Sequence, residues 1–541
     1  MDNKAKILEA SARHPKPEGR TYQYGTAGFR MKANLLDSVV FRVGLLASLR
    51  SRKLLGQTIG VMITASHNPP EDNGVKLVDP MGEMLEQTWE GHATTLANAD
   101  NDALYDTYAK IAEQIKVNPN AEARIVFARD TRASGSTLVA ALVDAFQATG
   151  TQYTDYKLLT TPQLHYIVRC TNTYDSDYYY GEISEVGYYE KMANAFRRAM
   201  RNSKAKGHVT VDCANGVGGP KLRELIKYLP PAEESGLEIK VVNDDVVNPE
   251  SLNVQCGADF VKTQQRAPPS SKAAPLERCA SLDGDADRLV YYYLDKNGTF
   301  HLLDGDRIAT LAASFIAELA KQSGLADKLK VGVVQTAYAN GSSTKYIKDH
   351  LKLQVECTNT GVKHLHHEAA RMDIGVYFEA NGHGTVLFSD AAAATIKKAE
   401  PTSTASYEAL ETLRALLDLI NQAVGDALSD MLLVEVILAH KKWTCDNWLA
   451  TYSDLPNRLV RVEVKDRSIF KAVDAERKLE SPKGIQREID ELVGKYKQGR
   501  AFARASGTED AMRVYAEAST RGEADDLANK VAAVVKKYGS V

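Results

Sequence analysis

Short runs of strand-forming residues alternate with stretches of helical spacing along most of the 541-residue chain. RIVFAR at Arg124–Arg129 precedes a helical pattern over 136–148, and HVTVD at His208–Asp212 leads through a glycine-rich turn into PKLRELIKYL. Pro220 suits a first helical position there, because proline has no N–H to leave unpaired. KVGVVQ at 330–335 is followed by the helical GSSTKYIKDHL. A chain with this rhythm covers its strands with the helices between them, which makes it α/β and assembled from βα units. Lys296-Asn297-Gly298, between apolar runs at 289–294 and 299–303, predicts a hairpin. From 391 to 406 the composition turns to Ala, Lys, Thr and Ser with a proline, predicting an exposed insertion. Leu410, Leu413, Leu417 and Ile420 then mark a long amphipathic helix. The last segment, from about Trp443, predicts strands at 459–464 and 512–518 and a closing helix from Glu523 to about Lys537. Breaks near 180, 296 and 445 divide the chain into 1–180, 181–296, 297–445 and 446–541. At roughly 150 residues per domain, the length allows three or four.

Composition narrows the partners. With 44% hydrophobic and 25% charged residues, each segment can bury a core. The net charge of −3, from 67 basic and 70 acidic residues, gives no footprint for nucleic acid and none for an anionic membrane. Anion binding must then come from local clusters of Arg and Lys. The apolar stretches at 308–320 and 431–440 are short and carry Glu318 and Glu435, so neither spans a bilayer. The first twenty residues hold no apolar core suited to a signal peptide. Six scattered cysteines without a C-x-x-C pair predict buried thiols in a reducing compartment, hence a cytoplasmic protein.

Four segments, one in each quarter, concentrate groups suited to phosphate, metal or sugar. Thr64-Ala65-Ser66-His67-Asn68-Pro69-Pro70 follows an apolar run and exposes a hydroxyl beside a histidine; taken alone it is also ordinary turn chemistry. It lacks the G-x-S-x-G elbow of one class of hydrolase. Asp283-Gly284-Asp285-Ala286-Asp287-Arg288 alternates carboxylates, which can converge on one hard cation such as Mg²⁺. An EF-hand would need glutamate where Leu294 stands. Phe378-Glu379-Ala380-Asn381-Gly382-His383-Gly384 adds to a hairpin turn a glutamate and a histidine, both able to bond sugar hydroxyls. Arg504-Ala505-Ser506-Gly507-Thr508-Glu509, with Arg513, offers hydroxyls, backbone amides and two guanidiniums as a phosphate cradle without a Walker sequence.

Other suggestive stretches fail on spacing. Cys213 to Gly219 sits between a strand and a helix like a dinucleotide turn, but the last glycine of that pattern is Lys221. His364, His366 and His367 look like metal ligands, yet H-E-x-x-H would need histidine at Arg371, which leaves them surface or structural roles. Tyr178 to Tyr180 has no interleaved basic residue and reads as packing.

Taken together and in this order, the serine, metal, sugar and phosphate loops resemble those of the α-D-phosphohexomutase superfamily over essentially the whole chain. Tyr24 to Arg30 (YGTAGFR) resembles that family as well. ITASHNPPEDNGVKLVDPMGEM is most similar to the branch acting on N-acetylglucosamine phosphates, and Asn381 stands where the glucose and mannose enzymes carry serine. The resemblance implies a four-domain architecture, three related α/β domains plus a C-terminal α+β domain around a central cleft. It implies interconversion of N-acetylglucosamine 6-phosphate and 1-phosphate through phospho-Ser66 and a sugar 1,6-bisphosphate, on the route to UDP-N-acetylglucosamine. By position, Asp283, Asp285, Asp287 and the Ser66 phosphoryl group would hold one Mg²⁺, and Lys76 would be the general acid/base, with His67 and Arg30 lining the same site. Glu379, Asn381 and His383 would face the sugar. Arg504, Ser506, Gly507, Thr508 and Arg513 would hold the phosphate not in transfer.

The chemistry needs such a charge supply. Phosphate-monoester hydrolysis is so slow that enzymes reach about 10²¹-fold acceleration. One positioned base contributes only about 10² to 10⁴. Charge stabilisation and positioning must supply the rest, which falls to the cation, Arg30, Lys76 and Arg288 around a phosphoserine. Glucose or mannose phosphomutase activity is the nearest alternative; a phosphatase would have less use for the Arg504 cradle. A silent binding protein would be expected to lack Ser66 or one of the aspartates.

Overall fold

Thr58–Ile63, buried at every residue, is the strand that presents the serine loop. The computed structural model describes residues 2–118, 121–506 and 511–540. The first sheet runs in the order Phe29–Lys32, Asp72–Val78, Thr58–Ile63, Arg124–Arg129, Gln152–Leu158. Thr58–Ile63, Arg124–Arg129 and Gln152–Leu158 pair in parallel. Parallel neighbours need crossover helices, and Gly135–Thr149 is the last of them. It packs on Asp37–Lys53, where a Cβ on Gly44 would stand 2.7 Å from Cβ of Ala145, so glycine permits this approach. Val39, Phe41, Leu46, Leu142 and Phe146 fill the core between them.

The second sheet has the order Phe300–Leu303, Leu289–Leu294, Arg278–Leu282, His208–Asp212, Glu238–Val242, and contains the expected hairpin, with Gly298 at φ +80°. The glycine-rich turn enters its helix at Gly218, two residues before the expected Pro220, which therefore sits inside the first turn. Gln354–Thr358, Val331–Thr336, Ile374–Phe378 and Gly384–Phe388 make a third sheet. The fourth is antiparallel, Asn457–Glu463, Ala511–Glu517, Arg500–Ala505. Helices Ile485–Val493 and Arg521–Gly539 cover one of its faces through Ile485, Ile489, Leu527, Val531 and Val535. This is the four-domain α/β architecture that the sequence predicts. The chain forms two compact units: Met1–Leu302 with His383–Thr385 and Arg414–Lys442, and Leu303–Gly382 with Val386–Leu413 and Trp443–Val541. Among the described residues no helix is long and apolar enough to cross a membrane.

The segment 391–406 is mostly exposed, as its composition suggests, but it is not a plain loop. Its first half is a helix, Asp390–Lys398, with the Ser389 hydroxyl accepting from the amide of Ala392 and with Ala392 and Ile396 buried. Ala and Lys are strong helix formers. Only residues 399–403, which include Pro401, Thr402 and Ser403, connect it to the next helix, Thr404–Leu419.

Helix Gly305–Gln322 begins hard against the sugar loop: a Cβ on Gly305 would stand 1.8 Å from the carbonyl oxygen of Glu379. Gly91, exposed in helix Gln87–Asn98, has nothing within 4 Å of its would-be Cβ. Gly305→Ala is therefore expected to destabilise the protein by about 1–3 kcal/mol, and Gly91→Ala to stabilise it by about 0.5–1 kcal/mol. Urea unfolding of the two variants checks this, and effects of the same sign would contradict it.

Candidate active site

Ser66 lies just past the end of its strand, buried, with φ at +50°. A left-handed non-glycine residue costs roughly 1–3 kcal/mol and persists only where its surroundings hold it. Here they do. The Ser66 amide donates to Oγ1 of Thr64 (3.0 Å), whose hydroxyl donates to Oδ2 of Asp130 (2.7 Å). Arg132 is fully buried; its Nε bonds Asp130 (3.0 Å) and its Nη1 the carbonyls of Pro69 (2.5 Å) and Asp72 (3.0 Å). Its Nη2 bonds the carbonyls of Ser66 (3.0 Å) and Asn68 (2.9 Å). Asn253 Nδ2 also donates to the Ser66 carbonyl, at 2.8 Å.

The metal loop stacks on this turn. A Cβ on Gly284 would stand 2.5 Å from the Ser66 carbonyl oxygen, and one on Gly216 would stand 2.4 Å from that of Gly284. The dinucleotide-like turn at Cys213 is thus a floor for the metal loop. Asp283 Oδ2 accepts the Ser66 hydroxyl at 2.6 Å, while its Oδ1 accepts the amides of Asp287 and Arg288, both at 3.1 Å. Asp285 Oδ2 accepts the Thr161 hydroxyl at 2.6 Å. The three carboxylates are buried, and one oxygen of each lies within 4.8 Å of the others. Oδ1 of Asp285 is buried without a hydrogen-bond partner among the described residues, and Oδ1 of Asp287 has His383 Nδ1 at 3.4 Å. Converging hard oxygens, one of them orphaned, fit a divalent cation of the Mg²⁺ kind. Burial, then Asp287 and Asp285, push the Asp283 carboxyl well up. Burial acts the same way on Asp287, but His383, Lys76 and Arg288 outweigh it and hold that carboxyl well below the usual range.

Cations surround the trio. Lys76 Nζ lies 3.6 Å from Oδ2 of both Asp285 and Asp287, and Arg288 Nε 3.8 Å from Oδ2 of Asp283. Arg30, one strand from Lys76, donates to Oδ1 of Asn68 at 3.4 Å; burial and Arg288 pull its pKa down. Burial, Arg288 and Arg30 push His67 down to about 2, so its imidazole is neutral at physiological pH. His383 Nδ1 stands 3.4 Å from Oδ1 of Asp287, and its backbone bridges Arg288. Arg30, Ser66, His67, Lys76, the three aspartates, Arg288 and His383 thus belong to one unit.

The remaining expected residues lie in the other unit. Glu379 and Asn381 follow strand Ile374–Phe378, with Asn381 Nδ2 donating to Glu379 Oε2 at 3.4 Å. Gly382 closes that turn at φ +90°, its amide donating to the Glu379 carbonyl at 2.9 Å. Arg504 and Arg513 are direct partners on adjacent strands, and the Ser506 amide donates to the Ala511 carbonyl at 2.8 Å. Gly507 and Thr508 lie outside the described residues.

Sequence reasoning missed Asp130, Arg132, Thr161, His165, Asn253, Arg467 and Glu476. Asp130-Thr131-Arg132 follows the carboxyl end of a parallel strand, where α/β sheets gather their ligands, and that signal was available. Arg467 donates to the Ser506 carbonyl at 2.7 Å. The other histidines and tyrosines are structural where they are buried. His366 Nδ1 pairs with the Tyr377 hydroxyl at 2.8 Å, and Tyr180 accepts the Gln422 amide at 2.9 Å, whereas Tyr178 is exposed.

Known proteins match this chain along its length. Residues 170–290 and 304–443 match domains II and III of the family described as phosphoacetylglucosamine mutase AMG1. Residues 46–101 and 89–177 match the phosphoglucomutase/phosphomannomutase alpha/beta/alpha domain I, and 459–534 the C-terminal domain of that family. The Sus scrofa phosphoacetylglucosamine mutase is 52% identical over 541 residues, covering 99% of this chain and 98% of its own. The crystal structure of Aspergillus fumigatus N-acetylphosphoglucosamine mutase in complex with GlcNAc-6P and magnesium is 66% identical, covers 100% of both chains and superposes with TM-score 0.97. A single-residue variant of that enzyme in complex with glucose 1,6-bisphosphate gives 0.96, at 66% identity and coverage of 100% of this chain and 99% of its own.

His165 generates a pH prediction. It is fully buried on helix Thr161–Thr173, with Nδ1 2.6 Å from the Gly82 carbonyl, and burial followed by Lys76 pushes its pKa down to about 3. Unfolding releases it to its ordinary value of 6.5, so between those limits the unfolded chain binds a proton that the folded one refuses. Its contribution to stability is therefore lost as pH falls below about 6.5, at up to ~1.4 kcal/mol per pH unit. His165→Asn is expected to flatten the fall of unfolding free energy between about pH 6 and 4.5 by up to that amount; an unchanged slope in urea unfolding would contradict it.

Proposed function

The chain belongs to the phosphoacetylglucosamine mutases, and from that premise we propose that Ser66 is the hydroxyl through which the phosphoryl group passes. The reaction is the interconversion of N-acetylglucosamine 6-phosphate and N-acetylglucosamine 1-phosphate, and the protein is an isomerase that uses magnesium and a sugar 1,6-bisphosphate. The observation that carries the reading is the 2.6 Å hydrogen bond from Ser66 Oγ to Asp283, made from a strained turn pinned from beneath by Arg132.

In the first half-reaction a sugar hydroxyl oxygen attacks phosphorus, the bond from phosphorus to Ser66 Oγ breaks, and the hydroxyl proton leaves to a base. In the second, Ser66 Oγ, protonated when it left, attacks the other phosphate of the bisphosphate and gives up that proton, while the bond from phosphorus to the sugar oxygen breaks and the departing sugar oxygen takes up a proton. We assign proton exchange with the sugar to Lys76, which Asp285 and Asp287 hold at 3.6 Å. His67 is too weak a base for that task at a pKa of about 2, and acts as a neutral hydrogen-bonding wall beside Ser66. Mg²⁺ held by Asp283, Asp285, Asp287 and a phosphoryl oxygen on Ser66 supplies positive charge to the group in transfer. Arg30 and Arg288 add to that charge. Glu379, Asn381 and His383 are assigned to the sugar, and Arg504, Ser506, Arg513 and the loop residues Gly507 and Thr508 to the phosphate that stays. The proposed domains 1–180, 181–296, 297–445 and 446–541 each contribute one of these loops. A cytoplasmic location agrees with six cysteines that form no disulfide among the described residues.

Phosphorus NMR tests the reading. With N-acetylglucosamine 1-phosphate, Mg²⁺ and a trace of sugar bisphosphate, the 6-phosphate signal is expected to grow faster than with glucose 1-phosphate. Ser66→Ala should slow it by about 10³-fold or more. Faster conversion of the glucose compound would overturn the substrate, and release of free phosphate would overturn the mutase reading.

A further inference from the structure

Glu476 occupies a turn that the backbone does not favour. It connects strands Lys471–Val473 and Lys478–Ser481, and its residues Asp474, Ala475 and Glu476 stand at φ +54°, +54° and +64°, all left-handed and none of them glycine. Such a conformation needs something to hold it. Thr360, in the connection between strand Gln354–Thr358 and helix Val362–Ala369, donates to Glu476 Oε2 from its amide (2.9 Å) and its hydroxyl (2.5 Å). The same carboxylate oxygen lies 3.1 Å from Arg504 Nε, and both side chains are largely buried, at 17% and 19% exposed. Tyr338, of the same unit, packs edge-on against Phe502 of the phosphate strand, with ring centroids 5.0 Å apart. All these residues belong to one compact unit.

We infer that Glu476 is a positioning residue that aims Arg504 at the standing phosphate and makes that aim depend on the Thr360 loop. The inference rests on the assignment of Arg504 as a phosphate ligand. Glu476 forms its ion pair on the side of the guanidinium's inner nitrogen, which leaves the outer edge to face paired phosphate oxygens. A carboxylate beside a phosphate-binding arginine is otherwise unfavourable, since it repels the ligand. Its double anchoring by Thr360 gives it a geometric role that offsets this cost. One oxygen thereby joins three stretches of chain: the loop after the third sheet's edge strand, the two-stranded ribbon and the phosphate strand. Phosphate grip is strong only while the ribbon is seated on Thr360.

A phosphate held alike before and during transfer contributes uniform binding, so its loss appears in KM more than in kcat. Glu476→Ala is expected to raise KM for N-acetylglucosamine 1-phosphate by about tenfold, with kcat within about threefold. Glu476→Gln, which still accepts from Thr360, should lie between it and the wild type. Thr360→Val, which removes one donor and touches no arginine, should raise KM by about threefold. The decisive readout is the double variant: Glu476→Ala is expected to add little once Arg504→Ala is present. An unchanged KM in Glu476→Ala and Glu476→Gln, or effects that multiply with Arg504→Ala, would overturn the inference while leaving Arg504 a phosphate ligand. An unchanged KM in Arg504→Ala alone would overturn that assignment, and the inference with it. Unfolding temperatures separate lost grip from lost fold, and Glu476→Gln and Thr360→Val keep the test open if Glu476→Ala fails to fold.

Discussion

The approach of Gly284 to the Ser66 carbonyl, closer than any side chain would permit, is the constraint on which the rest of the chemistry depends. It sets the metal loop on the serine loop, with the Ser66 hydroxyl on Asp283 as the result. Each partner is prepared from its own side. Arg132 ties four carbonyls of the serine turn into one rigid piece, and Gly216 lets the preceding turn slide under Gly284. Neither arginine nor glycine touches the reacting atoms. They fix the distance at which those atoms meet, and an enzyme that works by positioning needs that distance fixed before substrate arrives.

The site concentrates charge where folding alone would avoid it. Three buried carboxylates sit among Arg30, Lys76 and Arg288, and Oδ1 of Asp285 has no hydrogen-bond partner among the described residues. Buried unpartnered oxygens are unfavourable without a counter-ion, and a bound cation resolves both problems together. The opposed shifts of Asp283 and Asp287 express the same imbalance. His67 and His165, held neutral, line the site without adding charge of their own.

The four loops were legible because each stands where a strand pattern stops and a cluster of chemically active residues begins. Other features resisted for physical reasons. Helix Asp37–Lys53 is buried on nearly all sides, so it shows no polar face, and its buried Arg50 is paired with Asp79 at 2.7 Å and Glu86 at 3.2 Å. Arg132 works through carbonyls of residues 60 or more positions earlier, a relation that no local pattern carries. Helix Asp390–Lys398 was obscured by a connector whose Ser, Thr and Pro dominated the window. Glu476 gave no signal, since its importance lies in a left-handed turn and in a threonine more than a hundred residues away.

The central claim is that Ser66 carries the phosphoryl group during turnover. The direct measurement is rapid-quench phosphopeptide mapping after mixing the protein with Mg²⁺ and glucose 1,6-bisphosphate labelled in its phosphates. The account predicts label on the peptide containing Ser66, discharged by N-acetylglucosamine 6-phosphate at least as fast as the enzyme turns over. Label on another residue, or label on Ser66 that the sugar phosphate removes more slowly than turnover, would contradict it.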